Sequence, residues 1–234
     1  MIHRWNEAAK IRKEQIESGK DITFSKVFVP LFREFLGVIR PARALEIGGG
    51  TGHLALNLKE FCKDLYVIEP SSGMYNVAQS VLFDSNVKLI QETSYNFNVE
   101  CNFDLAYSHL CAHTTKNINS FLDSIRRLLR KDGRFIYSIP HPVFYEIDRG
   151  NQAQDYMAEW SALVDLEISL DKENPIKSIP YVHRSLSKYI NATIDAGFSI
   201  QELIEVWPRK NVMRKYNIPW KGPRYCVFIC NVCR

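Results

Sequence analysis

Residues 44–58, ALEIGGGTGHLALNL, constrain the fold more than any other stretch of this 234-residue chain. An apolar run of strand length carries the acid Glu46 near its end. Glycines follow at 48, 49, 50 and 52, and a helical segment begins near His53. Glycine lets the backbone turn sharply, and without a Cβ in the way a ligand can reach main-chain N–H groups at the helix N-terminus. The stretch predicts a strand, a tight turn that binds something, and a helix. Gly50-Thr-Gly52-His-Leu-Ala55 also satisfies a relaxed dinucleotide fingerprint, with Glu69 as ribose acid at the end of the next strand, so the turn alone leaves the ligand open.

The surrounding rhythm extends this reading. From residue 43, short apolar runs (ALEI, LYVIEP, VKLIQ, FDLAYS, GRFIYSIP) alternate with helical patterns (HLALNLKEF, GMYNVAQSVL, INSFLDSIRRLL). Near-continuous apolar strands separated by helices predict a parallel sheet covered on both faces, a doubly wound α/β domain. Helical patterns at about 5–17 and 25–36, the second broken at Pro30, predict a cap over 1–40 on a core of 41–234. After Pro140 the alternation stops. Within 141–183, LVDLEIS and PIKSIPYVH flank the turn DKENP and predict an inserted hairpin. SLSKYINATIDAGF then reads as a helix, with Ser185 as N-cap and Gly197 as its stop, followed by strands near 199–206 and 225–232. The charged stretch PRKNVMRKYNIPWKGPR at 208–224 reads as a solvated connection.

Composition narrows the class. Hydrophobic residues form 46% of the chain, enough for one substantial core, and a net charge of +4 is too mild to argue for nucleic acid. The polar start MIHRWNEAAKIRKEQIE lacks a signal-peptide core, and no run of about 18 apolar residues is available to span a bilayer, so a cytoplasmic protein is expected. Six cysteines, at 62, 101, 111, 226, 230 and 233, show no paired framework and read as reduced thiols. Cys226, Cys230 and Cys233 have the spacing with which radical enzymes hold an iron–sulfur cluster. On a regular strand Cys226 and Cys230 share one side while Cys233 points to the other, so the three cannot converge on one cluster.

Glu46-Ile-Gly48-Gly49-Gly50-Thr-Gly52 resembles the first motif, acid-x-Gly-x-Gly-x-Gly, of the class I S-adenosylmethionine (SAM)-dependent methyltransferases. The likeness continues through Glu69-Pro70-Ser71-Ser72-Gly73-Met74, FDLAYSHLCAHT and LLRKDGRFIYSIPHP, over about residues 40–145. SLSKYINATIDAGFSIQELIEVWP is similar to the family's later portion. The resemblance, to the type 11/12-like small-molecule branch, implies a Rossmann-like seven-stranded sheet, mostly parallel with an antiparallel last strand. It further implies SAM as cofactor, S-adenosylhomocysteine (SAH) as product, and no metal. Glu46, Gly48, Gly49, Gly50 and Gly52 would bind the amino-acid end of the cofactor. Glu69, with Pro70 and Ser71, would take the ribose, since one carboxylate can accept both hydroxyls. Met74 would flank the adenine or fill the core. Glu92 or Thr93 would face the adenine amine, Glu92 being the more natural acceptor. Ser108 and His109 fall where the family uses backbone carbonyls to hold the methionine ammonium.

Methyl transfer from a sulfonium needs a nucleophile held in line and water kept out, and a general base where the acceptor is a phenol or an ammonium. His141, in Ser138-Ile-Pro-His141-Pro, follows the fifth strand, on the side where open sheets hold their sites. It is the leading base, with ordering of the turn as its alternative role. Tyr145, His113 and His183 follow by the same argument. Trp5, Tyr145, Tyr156 and Trp160 are candidates to line an apolar pocket, and Asp21 reads as a helix cap. The expected reaction moves a methyl group to an O or N atom of a small-molecule acceptor, in a monomer or homodimer with no membrane partner. The basic 208–224 loop supports an RNA or protein substrate instead, although no Asn-Pro-Pro-Tyr sequence follows the fourth strand. SHLCAHTT lacks the carboxylate cluster of metal-dependent catechol methylation. A non-catalytic SAM-binding partner protein is the remaining alternative.

Overall fold

Two helices precede the sheet, α1 (Ile2–Glu17) and α2 (Val29–Ile39), with a π-helical turn over Phe24–Phe28 between them. Pro30 lies in the first turn of α2 directly after the π-helical turn, and the helical path continues through it instead of breaking there as the sequence suggested. The computed structural model describes residues 2–98, 102–144, 156–168, 171–218 and 220–233.

Strands and helices then alternate as expected. β1 (Arg43–Ile47), α3 (His53–Leu58), β2 (Asp64–Ile68), α4 (Ser72–Val81) and β3 (Lys88–Ile90) form the first run. β4 (Phe103–His109), α5 (Ile118–Leu128) and β5 (Leu129–Pro140) form the second. A two-stranded sheet of β6 (Trp160–Ile168) and β7 (Asp171–His183) follows, then α6 (Leu186–Asp195), β8 (Phe198–Val206), α7 (Lys210–Tyr216) and β9 (Tyr225–Val232). The main sheet has seven strands in the order β3-β2-β1-β4-β5-β9-β8. Pairs β1·β2, β2·β3 and β4·β5 are parallel, while β9 runs antiparallel to β5 and β8. The doubly wound sheet with an antiparallel last strand is thus present. Strands covered on both faces need apolar side chains at every position, which is why ALEI and LAY carry no polar alternation.

Two sequence readings change. DKENP is not the hairpin turn, because β7 already begins at Asp171 and continues through it. The 208–224 stretch contains the helix α7, whose Lys210, Arg214 and Lys215 are exposed.

The chain divides into two compact units: Met1–Thr93, Leu163–Pro180 and Pro208–Ile218 form the first; Ser94–Ala162, Tyr181–Trp207 and Pro219–Arg234 form the second. In the first, Ala8 and Ala9 of α1 pack with Met74, Ile176 and Ile179 in a buried cluster that Trp5 and Val77 join. In the second, Tyr137 stacks between Phe135 (4.9 Å) and Phe228 (4.5 Å), and its hydroxyl meets Thr193 at 2.7 Å. Ser185 accepts the Lys188 amide as the N-cap of α6, and Gly197 ends that helix with φ +83°. Cys226 and Cys230 on β9 are fully buried, and burial pushes both thiols up to about 12, while Cys233 is exposed. The two buried sulfurs stay protonated and act as small apolar groups. No helix among the described residues is long and apolar enough to cross a membrane.

Candidate active site

Within the first unit the glycine turn is built from main-chain bonds and one acid. The amides of Gly48 and Gly49 donate to the Ile68 carbonyl at 2.9 and 3.1 Å, tying the turn to the end of β2. The glycines do different work. A Cβ at Gly49 would overlap the Val67 side chain, so this position serves close packing on β2. Gly50 has φ +56°, and a Cβ there would meet nothing within 4 Å, so its free face is open to a ligand. Glu69 is buried; its Oε2 accepts the Gly50 amide and its Oε1 the Ser71 amide, both at 2.8 Å. Burial pushes its carboxyl above the ordinary range, and the two amides oppose that shift. One carboxylate therefore clamps the glycine turn and the start of α4 together, with a lone pair left on each oxygen for a further donor.

Helix α1 reaches both segments. Asn6 Oδ1 accepts Ser71 Oγ (2.7 Å), Ser72 Oγ (3.2 Å) and the Gly73 amide (2.9 Å). Ser71 Oγ in turn caps α4 by accepting the Met74 amide at 3.2 Å. At the other end of α1, Glu17 meets His53 Nε2 at 3.4 Å, and His53 Nδ1 meets Thr51 Oγ1 at 2.9 Å. Burial lowers the pKa of His53 despite Glu17. Asp21 Oδ1 accepts the Phe24 amide at 2.8 Å and its other oxygen pairs with Arg12 at 2.6 Å, so it is a cap held by an ion pair. Met74 sits in the apolar cluster under α1, the core-filling alternative of the two weighed for it. Glu92 Oε1 accepts the Thr93 amide at 2.8 Å, and both residues are half-buried just past β3. Glu46 is buried at the end of β1, and Pro70 is half-buried between Glu69 and Ser71.

Within the second unit, Ser108 is fully buried and His109 ends β4. Leu110 then takes φ 50°, a left-handed conformation that costs a side-chain-bearing residue roughly 1–2 kcal/mol. Its amide donates to Ser138 Oγ at 3.0 Å and to the Ser138 carbonyl at 3.2 Å, which holds the strained turn. His109 Nδ1 meets the Ser138 hydroxyl at 2.8 Å.

His141 has the geometry of its alternative role, the ordering of a turn. Its Nδ1 accepts the Val143 and Phe144 amides at 3.2 and 3.4 Å, and its Nε2 meets Glu205 Oε1 at 2.9 Å. Both nitrogens are committed, so the ring orders the turn after β5 and has no lone pair to offer as a general base. Tyr145 lies outside the described residues.

With this geometry in place, residues 45–137 match the methyltransferase domain family. Over those residues the chain is similar to a methyltransferase domain. It is 26% identical over 137 residues to the uncharacterized methyltransferase YcgJ of Bacillus subtilis, a match covering 52% of this chain and 54% of YcgJ. The chain thus spans about half the length of the curated relative it matches. Among solved structures, a SAM-dependent methyltransferase from Clostridium acetobutylicum superposes with a TM-score of 0.66 at 16% identity, covering 98% of this chain and 99% of that one. The Burkholderia thailandensis 1,6-didemethyltoxoflavin N1-methyltransferase, solved with 1,6-didemethyltoxoflavin and SAH, gives 0.60 at 17% identity over 97% and 87% of the two chains. At these identities the two structures attest the fold.

The sequence pattern singled out the glycines and Glu69 but missed Asn6, His53 and Ser138. Asn6 lies in a polar helix start that carries no motif. Its one available signal is retrospective: Gly73, whose Cβ would stand 2.6 Å from the Asn6 backbone, marks a close approach of another segment.

Proposed function

We propose that the protein transfers the methyl group of SAM to an oxygen or nitrogen atom of a small molecule. The observation that carries this reading is the Glu69 carboxylate, which bridges the Gly50 and Ser71 amides beside the open face of Gly50. A carboxylate with one spare lone pair per oxygen suits the two vicinal hydroxyls of a ribose, and an open glycine face suits the amino-acid end of the cofactor. The first unit therefore fits SAM: Glu46, Gly48, Gly49, Gly50 and Gly52 at one end, Glu69, Pro70 and Ser71 at the ribose, Glu92 or Thr93 toward the adenine. When bound, SAM supplies an electrophilic methyl group on a sulfonium. What the protein adds is orientation and exclusion of water, with α1 fastened over both motif segments by Asn6 and Glu17. A solved relative of the same fold that holds SAH and methylates N1 of a small heterocycle supports the small-molecule reading.

Thermal shift with SAM, SAH and NAD tests the cofactor. SAM and SAH should raise the melting temperature and NAD should leave it unchanged; stabilisation by NAD alone would return the glycine turn to the dinucleotide reading. Release of SAH with an acceptor panel then separates an enzyme from a non-catalytic SAM-binding partner.

A further inference from the structure

Helix α1 meets the glycine turn and the start of α4 at its two opposite ends. Asn6 stands near its start and Glu17 is its last residue, roughly 16 Å apart by the rise of a helix. Both contacts lie within the first unit.

At the Asn6 end the direction of each bond is set. The Gly73 amide can only donate, and Ser71 Oγ, which accepts the Met74 amide, gives its own hydrogen away, so the atom that faces both is the acceptor oxygen of Asn6. Ser71 is the shared node. Its hydroxyl is held by Asn6 at 2.7 Å, and its amide donates to Glu69 Oε1 at 2.8 Å.

At the Glu17 end the contact runs through a ring. A carboxylate can only accept, so His53 Nε2 carries a hydrogen toward Glu17 at 3.4 Å. Burial, which lowers the pKa of this imidazole, keeps the ring neutral, and its Nδ1 accepts the Thr51 hydroxyl at 2.9 Å. Thr51 lies between Gly50 and Gly52, whose φ angles are +56° and +78°. Neither glycine has a side chain by which the turn could be held, so Thr51 is its handle.

Glu69 joins Gly50 to Ser71 directly, and α1 joins Thr51 to Ser71 by a second route. Docking of the helix does not require that route, because Ala8 and Ala9 already bury it against Met74, Ile176 and Ile179. Both polar ends land on the two segments that Glu69 connects.

We propose that Asn6, Glu17 and His53 are positioning residues for the cofactor, each end of α1 setting one end of the ligand. Asn6 holds Ser71, and through it the Glu69 carboxylate that takes the ribose. Glu17 and His53 hold Thr51, and through it the turn that takes the amino-acid end. This assignment rests on the SAM reading and deepens it by naming residues that act on the cofactor through others.

The two ends are separated by calorimetric titration with SAH and with 5′-methylthioadenosine, which keeps the ribose and lacks the amino-acid end. Asn6→Ala should weaken both ligands alike, by about tenfold. Asn6→Asp returns an acceptor to the same donors and should recover most of that loss. His53→Phe keeps a flat ring but neither bond, so SAH should weaken by about tenfold and methylthioadenosine by less than about twofold. Glu17→Ala should show the same division with a smaller loss. If Asn6→Ala does not fold, His53→Phe and Glu17→Ala carry the comparison. Variants that lower the melting temperature and leave both affinities unchanged make α1 a packing element and overturn the assignment. A His53→Phe loss shared equally by the two ligands overturns it as well, and either result leaves the methyltransferase reading intact. Failure of the wild-type protein to bind SAH overturns that reading, and this assignment with it.

Discussion

The glycine turn of the first unit and the ring cluster of the second both concentrate polar atoms, but they stand in opposite states. In the turn, both Glu69 oxygens already accept main-chain amides, Ser71 caps α4, and Asn6 gathers three donors. In the cluster, the rings of His113, Tyr181, Trp160 and His183 follow one another, and Nδ1 of each histidine is buried without a partner. The first region is pre-organised by its own backbone and needs a ligand only at its open glycine face.

The largest effects should come from breaking the turn. Gly50→Val places branched carbons on the open face and strains a φ of +56°, so SAH affinity should fall by more than about 100-fold in calorimetry, or about 2.7 kcal/mol. Gly49→Ala meets Val67 instead, so its loss should appear first in thermal stability. A Gly50 variant that still binds SAH would remove the open face as the point of entry.

Glu69→Ala comes next. It leaves the Gly50 and Ser71 amides without their acceptor, which should weaken SAH binding by about 2 kcal/mol, or about 30-fold. Since burial raises the Glu69 pKa in the free protein, hydroxyl donors on its carboxylate would favour ionisation. SAH affinity should therefore rise with pH as Glu69 loses its proton, and Glu69→Gln should flatten that rise. Titrations in buffers of different ionisation enthalpy would detect the released proton.

The second region is sharpened by acid. His113 folded titrates at about 3 against an ordinary 6.5, so the unfolded chain takes up a proton that the folded one refuses. The stability held above 6.5 should be lost as pH falls toward 3, with a limiting slope of about 1.4 kcal/mol per pH unit from this group. Urea denaturation of His113→Gln should show a shallower fall over that window. Identical slopes would mean that His113 is not held neutral by its surroundings.

The smallest effects belong to the supports. Asn6→Ala should cost about 1 kcal/mol and lower the melting temperature by a few degrees. His141→Asn keeps an acceptor for the Val143 and Phe144 amides, so turnover should stay within about twofold of wild type, whereas a true general base would lose about 100-fold or more.

The turn, β1, β2 and Glu69 were legible because their information is local. A strand ends, glycines permit one backbone path, and the acid after the next strand lies beside them by the pitch of the βαβ unit. The DKENP turn was misread and the helix inside the solvated 208–224 connection was missed for a related reason: turn-forming and charged residues report a weak local preference, which strand pairing at Asp171 and the helix over Lys210–Tyr216 override. His141 was placed correctly in the chain, yet its role turned on where Glu205, 64 positions away, would stand.

By itself the sequence determined the doubly wound sheet and the glycine turn, because apolar periodicity and a few obligatory glycines act over short distances. Only the tertiary structure decided that Asn6 fastens α1 to the start of α4, that His141 orders a turn, and that His113 and His183 are buried with one ring nitrogen each lacking a partner. Those outcomes depend on hydrogen-bond geometry between residues far apart in the chain, and each is set by distances that no local pattern encodes.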